Sequence, residues 1–440
     1  MLNRILLIIV LLITGNGSQA QTVFRSVEDV WKYADTHNIT IKTINYELKK
    51  SGYATKQAYS AMLPQVNATG SYTDNIALQT TLIPGSLVGS APGTYRTLQF
   101  GQQFVYSGGI NAQMNILNLQ NWYATRIAKE TEEMNKDSVA GTRKMVYQQL
   151  ATQYYSYLLM QEAERLAAET VKVADSVFQS ASNKFKEGLV NEANVDVAKL
   201  NMERAQQTQI TAHYQMQVAG NNLKALLGLA LKDPMEIVAK LTDDMKEDGA
   251  GTFKEDPSLR LALWRTKINL IQYKQANSTF VPTVNILYNY ATQRSDKTFE
   301  PFDGARGVAG WFPSQYWSLQ ASWPLFTSGN RYFQSRKNKL SYQESMEQYE
   351  NVKNLSAIND ENIRINYQKA TEVLYKTKEV MQLSYENYRH VANRYEAGIT
   401  PIDDRLNAFR DYLDYQNQYL NSLSDMLIQL YQIKIRQQAF

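Results

Sequence analysis

The stretch RYEAGITPIDDRLNA, residues 394–408, decides how the chain folds. It lies between two long runs of helical periodicity. Gly398 is the only glycine between Gly329 and the C-terminus, so the chain turns here: a residue without Cβ enters the left-handed conformation that closes a helix. Thr400 and Pro401 then read as the N-cap and first position of the next helix. The pattern also occurs much earlier, at FKEGLV, residues 185–190, followed by Asn194, Val195, Asp196 and Ala198. Two such hairpin tips in one chain point to an internal repeat.

Outward from the tips the helices are long. Residues 121–186 contain no proline and would make a helix on the order of 100 Å. Leu159, Ala163, Leu166, Thr170, Val173 and Val177 step by four and three, a heptad seam. Residues 192–227 are helical again and end at Gly228. In the second copy a helix runs over 329–395, with Leu374, Met381, Tyr385, Tyr388, Ala392 and Tyr395 as its seam. The last helix repeats Leu406, Leu413, Leu420 and Leu427 every seven residues.

Before each long helix the period changes. Residues 26–62 read as a helix, with Ser26 as N-cap and Asp29 three positions on, stopped at Leu63-Pro64. From Gln65, Val66, Ala68, Gly70 and Tyr72 alternate with Asn67, Thr69, Ser71 and Thr73: period two, a strand with one apolar face. After a Pro/Gly-rich loop over 80–97, alternation resumes with Leu98, Phe104, Tyr106, Ile110, Ala112 and Met114 on one face; Gly108-Gly109 is a candidate interruption. An ordinary strand has about 5–6 residues, and this alternation runs far longer. Apolar side chains on one face and Asn/Gln on the other is the pattern of a membrane barrel strand.

The second half repeats the order: a helix over 258–279, Val281-Pro282, a strand carrying Val284, Ile286, Tyr288 and Tyr290, a glycine-rich loop over 295–313, and a return strand with Trp317, Leu319, Ala321 and Trp323. Strands are thus expected over 65–79, 98–117, 283–294 and 315–326. Pro64 and Pro282 are 218 residues apart, Gly188 and Gly398 210 apart. The expected organisation is a signal peptide over 1–20, a first repeat over 21–240, a charged linker over 241–257 and a second repeat over 258–440. Arg4, the apolar run 5–13 and the small-x-small site Ser18-Gln19-Ala20 carry the signal reading. No later window supplies the roughly 20 apolar residues of a spanning helix, so an exported chain of this kind is either soluble outside the cytoplasm or inserted as a β-barrel.

Composition excludes several classes. With 46 Lys/Arg against 42 Asp/Glu among 440 residues, nothing marks a nucleic-acid partner. The absence of cysteine removes disulfides, thiolate metal sites and a lipidated N-terminal Cys. His37, His213 and His390 have no metal-ligand spacing, and no phosphate loop or nucleophile triad is present. Neither a cofactor nor enzymatic activity is expected.

The helix-to-strand joints Leu63-Pro64-Gln65-Val66 and Val281-Pro282-Thr283-Val284, the segment Pro324-Leu325-Phe326 with Gly329, and the two glycine tips, in this order and duplication, resemble the TolC-type outer-membrane efflux proteins over essentially the whole mature chain. The resemblance implies a mainly α-helical fold with a membrane β part. It implies a homotrimer in which each protomer gives four strands to one 12-stranded outer-membrane β-barrel, continued by a long α-helical periplasmic barrel. A four-stranded piece cannot close alone, which fits this independently. The implied function is the exit duct of a tripartite efflux or type I secretion system, coupled through a periplasmic adaptor (a membrane fusion protein) to an inner-membrane pump, with outer-membrane lipid as surroundings.

The resemblance also assigns sites. Asp404, six residues after Gly398, matches an acidic ring at the periplasmic aperture, where three carboxylates would attract cations; Asp403 adjoins it. Tyr395 matches a tyrosine of the family's gating network. Two positions depart: Asn407 stands where well-known members carry a second Asp, and Thr400 where they carry a basic residue, which puts the family's salt-bridge lock in doubt. A charge pair favoured by the helix dipole also accounts for Asp403 and Asp404. Gly188, Leu189, Gly398 and Ile399 match the tips where an adaptor docks; helix capping accounts for the glycines in part. Tyr72, Tyr106, Tyr288, Trp317 and Trp323 are candidates for aromatic girdles at the membrane interface. The alternative is a periplasmic coiled-coil structural or adaptor protein, which explains the heptads and leaves the alternating strands unexplained.

Overall fold

The computed structural model describes residues 22–89, 91–241, 251–299 and 310–438. The signal reading and much of the expected inter-repeat linker lie outside them. Strand β1 (Thr22–Phe24) leads into helix α1 (Val27–His37). Ser26 caps α1 by accepting from the Asp29 amide, while Asp29 accepts from the amide of Arg25, one residue before the N-cap, at 3.0 Å. The helix expected over 26–62 is in fact two, because Asn38 breaks it. Asn38 is buried, gives its side-chain N–H to Leu226 O at 2.6 Å and accepts from the Ile41 amide, and an asparagine that bonds nearby backbone competes with helix continuation. Helix α2 (Ile39–Ser60) follows.

Next come β2 (Gln65–Asp74), β3 (Thr80–Pro84), β4 (Tyr95–Gln99) and β5 (Phe104–Leu117). Helix α3 (Leu119–Lys186) has 68 residues and turns into α4 (Glu192–Leu227). After β6 (Met235–Ile237) come α5 (Pro257–Ser278), β7 (Thr283–Asp296), β8 (Phe312–Ser322), α6 (Asn330–Glu396) of 67 residues and α7 (Ile402–Gln437). The loop expected over 80–97 is largely the β3–β4 hairpin. Leu98 belongs to that hairpin, and the long return strand starts only at Phe104, past Gly101, whose φ of +108° ends the run. Gly108-Gly109 does not interrupt β5. A Cβ on Gly109 would lie 2.6 Å from Tyr290 O, so the glycine lets β5 and β7 approach closely.

The main sheet has the order β2-β5-β7-β8, all antiparallel, with β2 and β8 as edges. Its registers separate two faces. Ala68, Ile110 and Tyr290 lie in one cross-strand row, and Val66, Ala112, Tyr288 and Trp317 in another. The opposite face carries Asn67, Asn111, Asn289 and Tyr316 in one row and Asn115, Asn285 and Gln320 in another. Asn67 donates to Asn111 at 3.3 Å, and Ser71 and Ser107 share a 2.7 Å bond. No described residue on this face of the four strands is charged.

The described residues form two compact units that cut across the sequence halves. One holds 49–133 and 264–347, including the main sheet. Within it the helix before each strand pair is tied to the helix after it. Thr55 and Thr125 donate to Ala128 O and Ala58 O, and Thr266 and Asn338 donate to Ser345 O and Gln272 O. The other unit holds 22–48, 134–263 and 348–438 of the described chain. Its main core joins Val30, Trp31, Leu150, Tyr154, Leu223, Leu427 and Leu430; Trp31 stacks on Tyr147 at 4.9 Å. Of the seam expected through Leu159, Ala163, Leu166, Thr170, Val173 and Val177, Leu166 and Val177 are buried and the other four are half-buried. On α7 the expected Leu406, Leu420 and Leu427 are buried, and two further buried heptad rows are alanines: Ala167, Ala174 and Ala181 on α3, and Ala198, Ala205, Ala212 and Ala219 on α4. Small side chains let helices lie close.

A buried charge cluster pins the segment before α5. Asp256 pairs with Lys144, and Arg436 forks onto Asp360 through two 2.7 Å bonds while donating to Lys254 O. The Phe253 ring lies between Arg364 (4.7 Å) and Arg436 (5.3 Å).

Candidate functional site

Both tips close in the same way. In the first, the Leu189 amide donates to Lys184 O at 2.8 Å and the Gly188 amide to Phe185 O at 2.9 Å. In the second, Ile399 donates to Arg394 O at 2.8 Å and Gly398 to Tyr395 O at 3.0 Å. The glycines have φ of +73° and +74°. This is the Schellman motif, whose last apolar residue ordinarily packs back on the residue five earlier. Here that residue is Lys184 or Arg394, so no apolar partner exists, and Leu189 and Ile399 stand 67% and 65% exposed. Each tip offers one aliphatic side chain to its surroundings.

The helix after the second tip starts one residue later than its sequence suggests. Pro401 is the N-cap, with ψ 162° and no capping side chain, and α7 begins at Ile402. Proline offers no side-chain acceptor, and the Thr400 hydroxyl is buried without a hydrogen-bond partner. Asp403 and Asp404 occupy the first turn instead, where negative charge favours the helix dipole. Asp403, Asp404 and Asn407 are all exposed. The first tip is capped by Asn191, which accepts from the Asn194 amide at 3.0 Å.

The two tips meet through a small core of Val177, Ala181, Ala198, Tyr395, Ile402 and Leu406. Tyr395 is its centre, 4% exposed, with its hydroxyl buried and without a hydrogen-bond partner. Lys184 Nζ lies 4.0 Å from the ring centre and the Arg405 guanidinium 5.1 Å away. Arg405 also pairs with Glu396 at 2.6 Å. Sequence reading singles out Tyr395 and misses Lys184, Arg405 and Glu396. The available signal was spacing: Glu396 and Arg405 bracket the same tip, and Lys184 sits four residues before Gly188, as Arg394 does before Gly398. Thr400 and Asn407 make no part of this cluster's ion pairs.

The five candidate girdle aromatics do not form one row. Tyr72 and Tyr106 lie 5.4 Å apart with their rings tilted by 35°, Tyr72 stacks on Phe104, and Phe299 meets all three. Tyr288 and Trp317 are cross-strand partners farther along the sheet. Trp323 lies beyond β8 and donates its indole N–H to Phe280 O at 3.1 Å.

Among the described residues no helix is long and apolar enough to cross a membrane, and no group of His, Cys, Asp or Glu is placed to hold a metal. A sequence profile described as "Outer membrane efflux protein" matches residues 34–229 and 252–434. The chain belongs to the outer membrane efflux protein family. Its place is therefore the outer membrane and its role efflux. No curated protein matches it by sequence. Solved structures share its fold at low identity. A membrane protein from Pseudomonas aeruginosa superposes with TM-score 0.76 at 15% identity, covering 94% of this chain and 93% of that one. The outer membrane protein VceC from Vibrio cholerae gives 0.72 at 16%, covering 93% and 96%. The Neisseria gonorrhoeae MtrE outer membrane channel, solved in its open state, gives 0.70 at 16%, covering 93% and 89%.

Proposed function

We propose that this efflux protein is a homotrimeric exit duct, and that three copies of its four-stranded sheet close one 12-stranded barrel. The observation that carries this is the sheet itself. It has one mainly apolar and aromatic face, with Asp74, Arg294 and Asp296 confined to one end beside Phe104 and Tyr106, one face mainly of amides and hydroxyls without charge, and two edges whose backbone groups need partners. Lipid tolerates no open edge, and strands from a second and third copy satisfy both edges at once. The apolar face then meets lipid and the amide face lines the duct. The long helices continue the passage through the periplasm.

The tips are the periplasmic end in this reading. Asp403 and Asp404 ring the aperture, with Tyr395 behind them holding the two hairpins together. Leu189 and Ile399, presented by the turns at Gly188 and Gly398, are the contacts for a periplasmic adaptor that joins the duct to an inner-membrane pump. The protein adds no energy of its own, and the pump drives the flux. Electron microscopy of full-length protein extracted from outer membranes in detergent tests this. Threefold tubes with a micelle at one end are expected; monomers or fibres without a micelle would overturn it.

A further inference from the structure

We propose that the helix ends adjoining the main sheet form a basic collar that binds anionic phospholipid headgroups of the periplasmic leaflet. This rests on the reading of the sheet as the membrane-embedded part.

Four helical segments enter or leave the sheet: 49–60 at the end of α2, 119–129 at the start of α3, 266–278 at the end of α5 and 330–339 at the start of α6. All lie in one compact unit. Together they carry eleven Lys and Arg and no Asp or Glu. The chain as a whole is nearly balanced, 46 basic to 42 acidic; acidic side chains return just past these ends, at Glu47 on α2 and at Glu130, Glu132 and Glu133 on α3, with Glu132 against Gly52.

The positions repeat. Lys49 and Lys56 on α2 recur as Lys267 and Lys274 on α5, each separated by the 218 residues that separate Pro64 from Pro282. Arg126 and Lys129 on α3 recur as Arg336 and Lys339 on α6, separated by the 210 residues between Gly188 and Gly398. Positions seven or three apart share a helix face, so the same face is basic in both halves. All eight are exposed. Lys50 and Lys337 add to them. Arg331 is half-buried at the joint and donates to Thr279 O at 2.7 Å and to Pro324 O.

Position along the helices selects the ligand. Lys56 and Lys274 are four residues from the ends of their helices, about 6 Å of rise, and the whole set falls within about 17 Å. Headgroup regions occupy the first several ångströms outside the hydrocarbon, which Lys56 and Lys274 reach along their stems; the members farther along the helices act on the leaflet's negative charge over about a Debye length. Beside the collar, at the β8–α6 joint, Leu325 and Phe326 are 82% and 85% exposed and Trp323 is exposed as well. Aromatic and aliphatic side chains flanked by cations are what an anionic lipid surface takes up.

The test uses purified full-length protein in detergent, titrated with phosphatidylglycerol and with phosphatidylcholine of the same acyl chains and read by native mass spectrometry. Two variants are compared, K49Q/K56Q/K267Q/K274Q and R126Q/K129Q/R336Q/K339Q, with channel formation in planar bilayers measured alongside. The wild type is expected to retain phosphatidylglycerol at least about tenfold over phosphatidylcholine, less so as salt rises. Each variant should lose most of that preference and still form channels. Equal retention of both lipids by a wild type that inserts and conducts would overturn the collar and leave the sheet reading standing. Variants that keep the lipid preference but shift ion selectivity would place the cations in the duct and also overturn it. A wild type that never enters bilayers would sink the sheet reading itself, and the collar with it.

Discussion

The ammonium of Lys184, two residues before the end of α3, sits 4.0 Å from the centre of the Tyr395 ring, one residue before the end of α6. Arg405 covers the ring from 5.1 Å. A cation over an aromatic face gains about 0.5–2 kcal/mol depending on desolvation, and here one buried ring serves cations from both hairpins. Tyr395→Leu keeps apolar bulk and removes both contacts. Amide hydrogen exchange at 184–190 and 394–400 should quicken by about tenfold, the equivalent of about 1.4 kcal/mol. A cycle with Lys184→Met should show coupling between the two side chains. If exchange at the tips stays at the wild-type rate, the ring does not hold the hairpins together.

Asp403 and Asp404 are exposed in the first turn of α7. Under the proposed trimer three copies of each crowd the aperture, and like charges in a constriction concentrate cations. Asp404→Asn should lower the cation-to-anion permeability ratio of single channels by about twofold or more and weaken block by multivalent cations. Unchanged selectivity and unchanged block would remove Asp404 from the aperture.

Leu189 and Ile399 bury little, so replacing either with Glu should leave stability within about 0.5 kcal/mol. Export activity in cells is expected to fall sharply, while the amount of protein in the outer membrane stays constant. Gly398→Ala is a contrasting change. At φ +74° a Cβ costs about 1–2 kcal/mol, so this variant should fray the tip and accelerate local proteolysis. Full export by both Glu variants would mean that the aliphatic tips are not contacts.

Much of this is legible in the sequence because glycine and proline punctuate it. Gly188 and Gly398 mark both tips, and Pro64 and Pro282 mark the two points where the chain passes from helix into the sheet; the sheet's faces follow from period two. Asn38 does not announce its break, since its partner, Leu226 O, is 188 residues away. The β3–β4 hairpin hides in a stretch whose Pro84, Gly85 and Gly93 read as loop. The alanine seams escape notice because large residues draw the heptads, whereas close helix contact selects small ones. At the tip, Tyr395 is recognisable by position, but its cations come from two hairpins and only the fold brings them together.

Asp256 supplies the pH dependence. Burial works against its charge, but the Lys144 ammonium together with the Ser258 amide and hydroxyl outweighs it and holds the carboxyl below its ordinary value. A carboxyl depressed by folding stabilises the folded state above its unfolded pKa of about 4, and that contribution disappears as pH falls through the depressed value. Thermal dissociation should therefore be nearly flat from neutral pH down to about 5 and fall steeply below 4. Asp256→Asn leaves the half-buried Lys144 beside an amide and Arg436 with only Asp360 as its carboxylate. Removing one partner of a buried pair costs about 3–5 kcal/mol, so the dissociation temperature at pH 7 should drop by several degrees and the acid limb should become shallower. Lys144→Met should produce a similar loss at pH 7. If the Asn variant matched the wild type at pH 7 and lost stability in parallel with it below pH 4, the anchor of the segment before α5 would lie elsewhere, with Arg436 and Asp360 as the next pair to break.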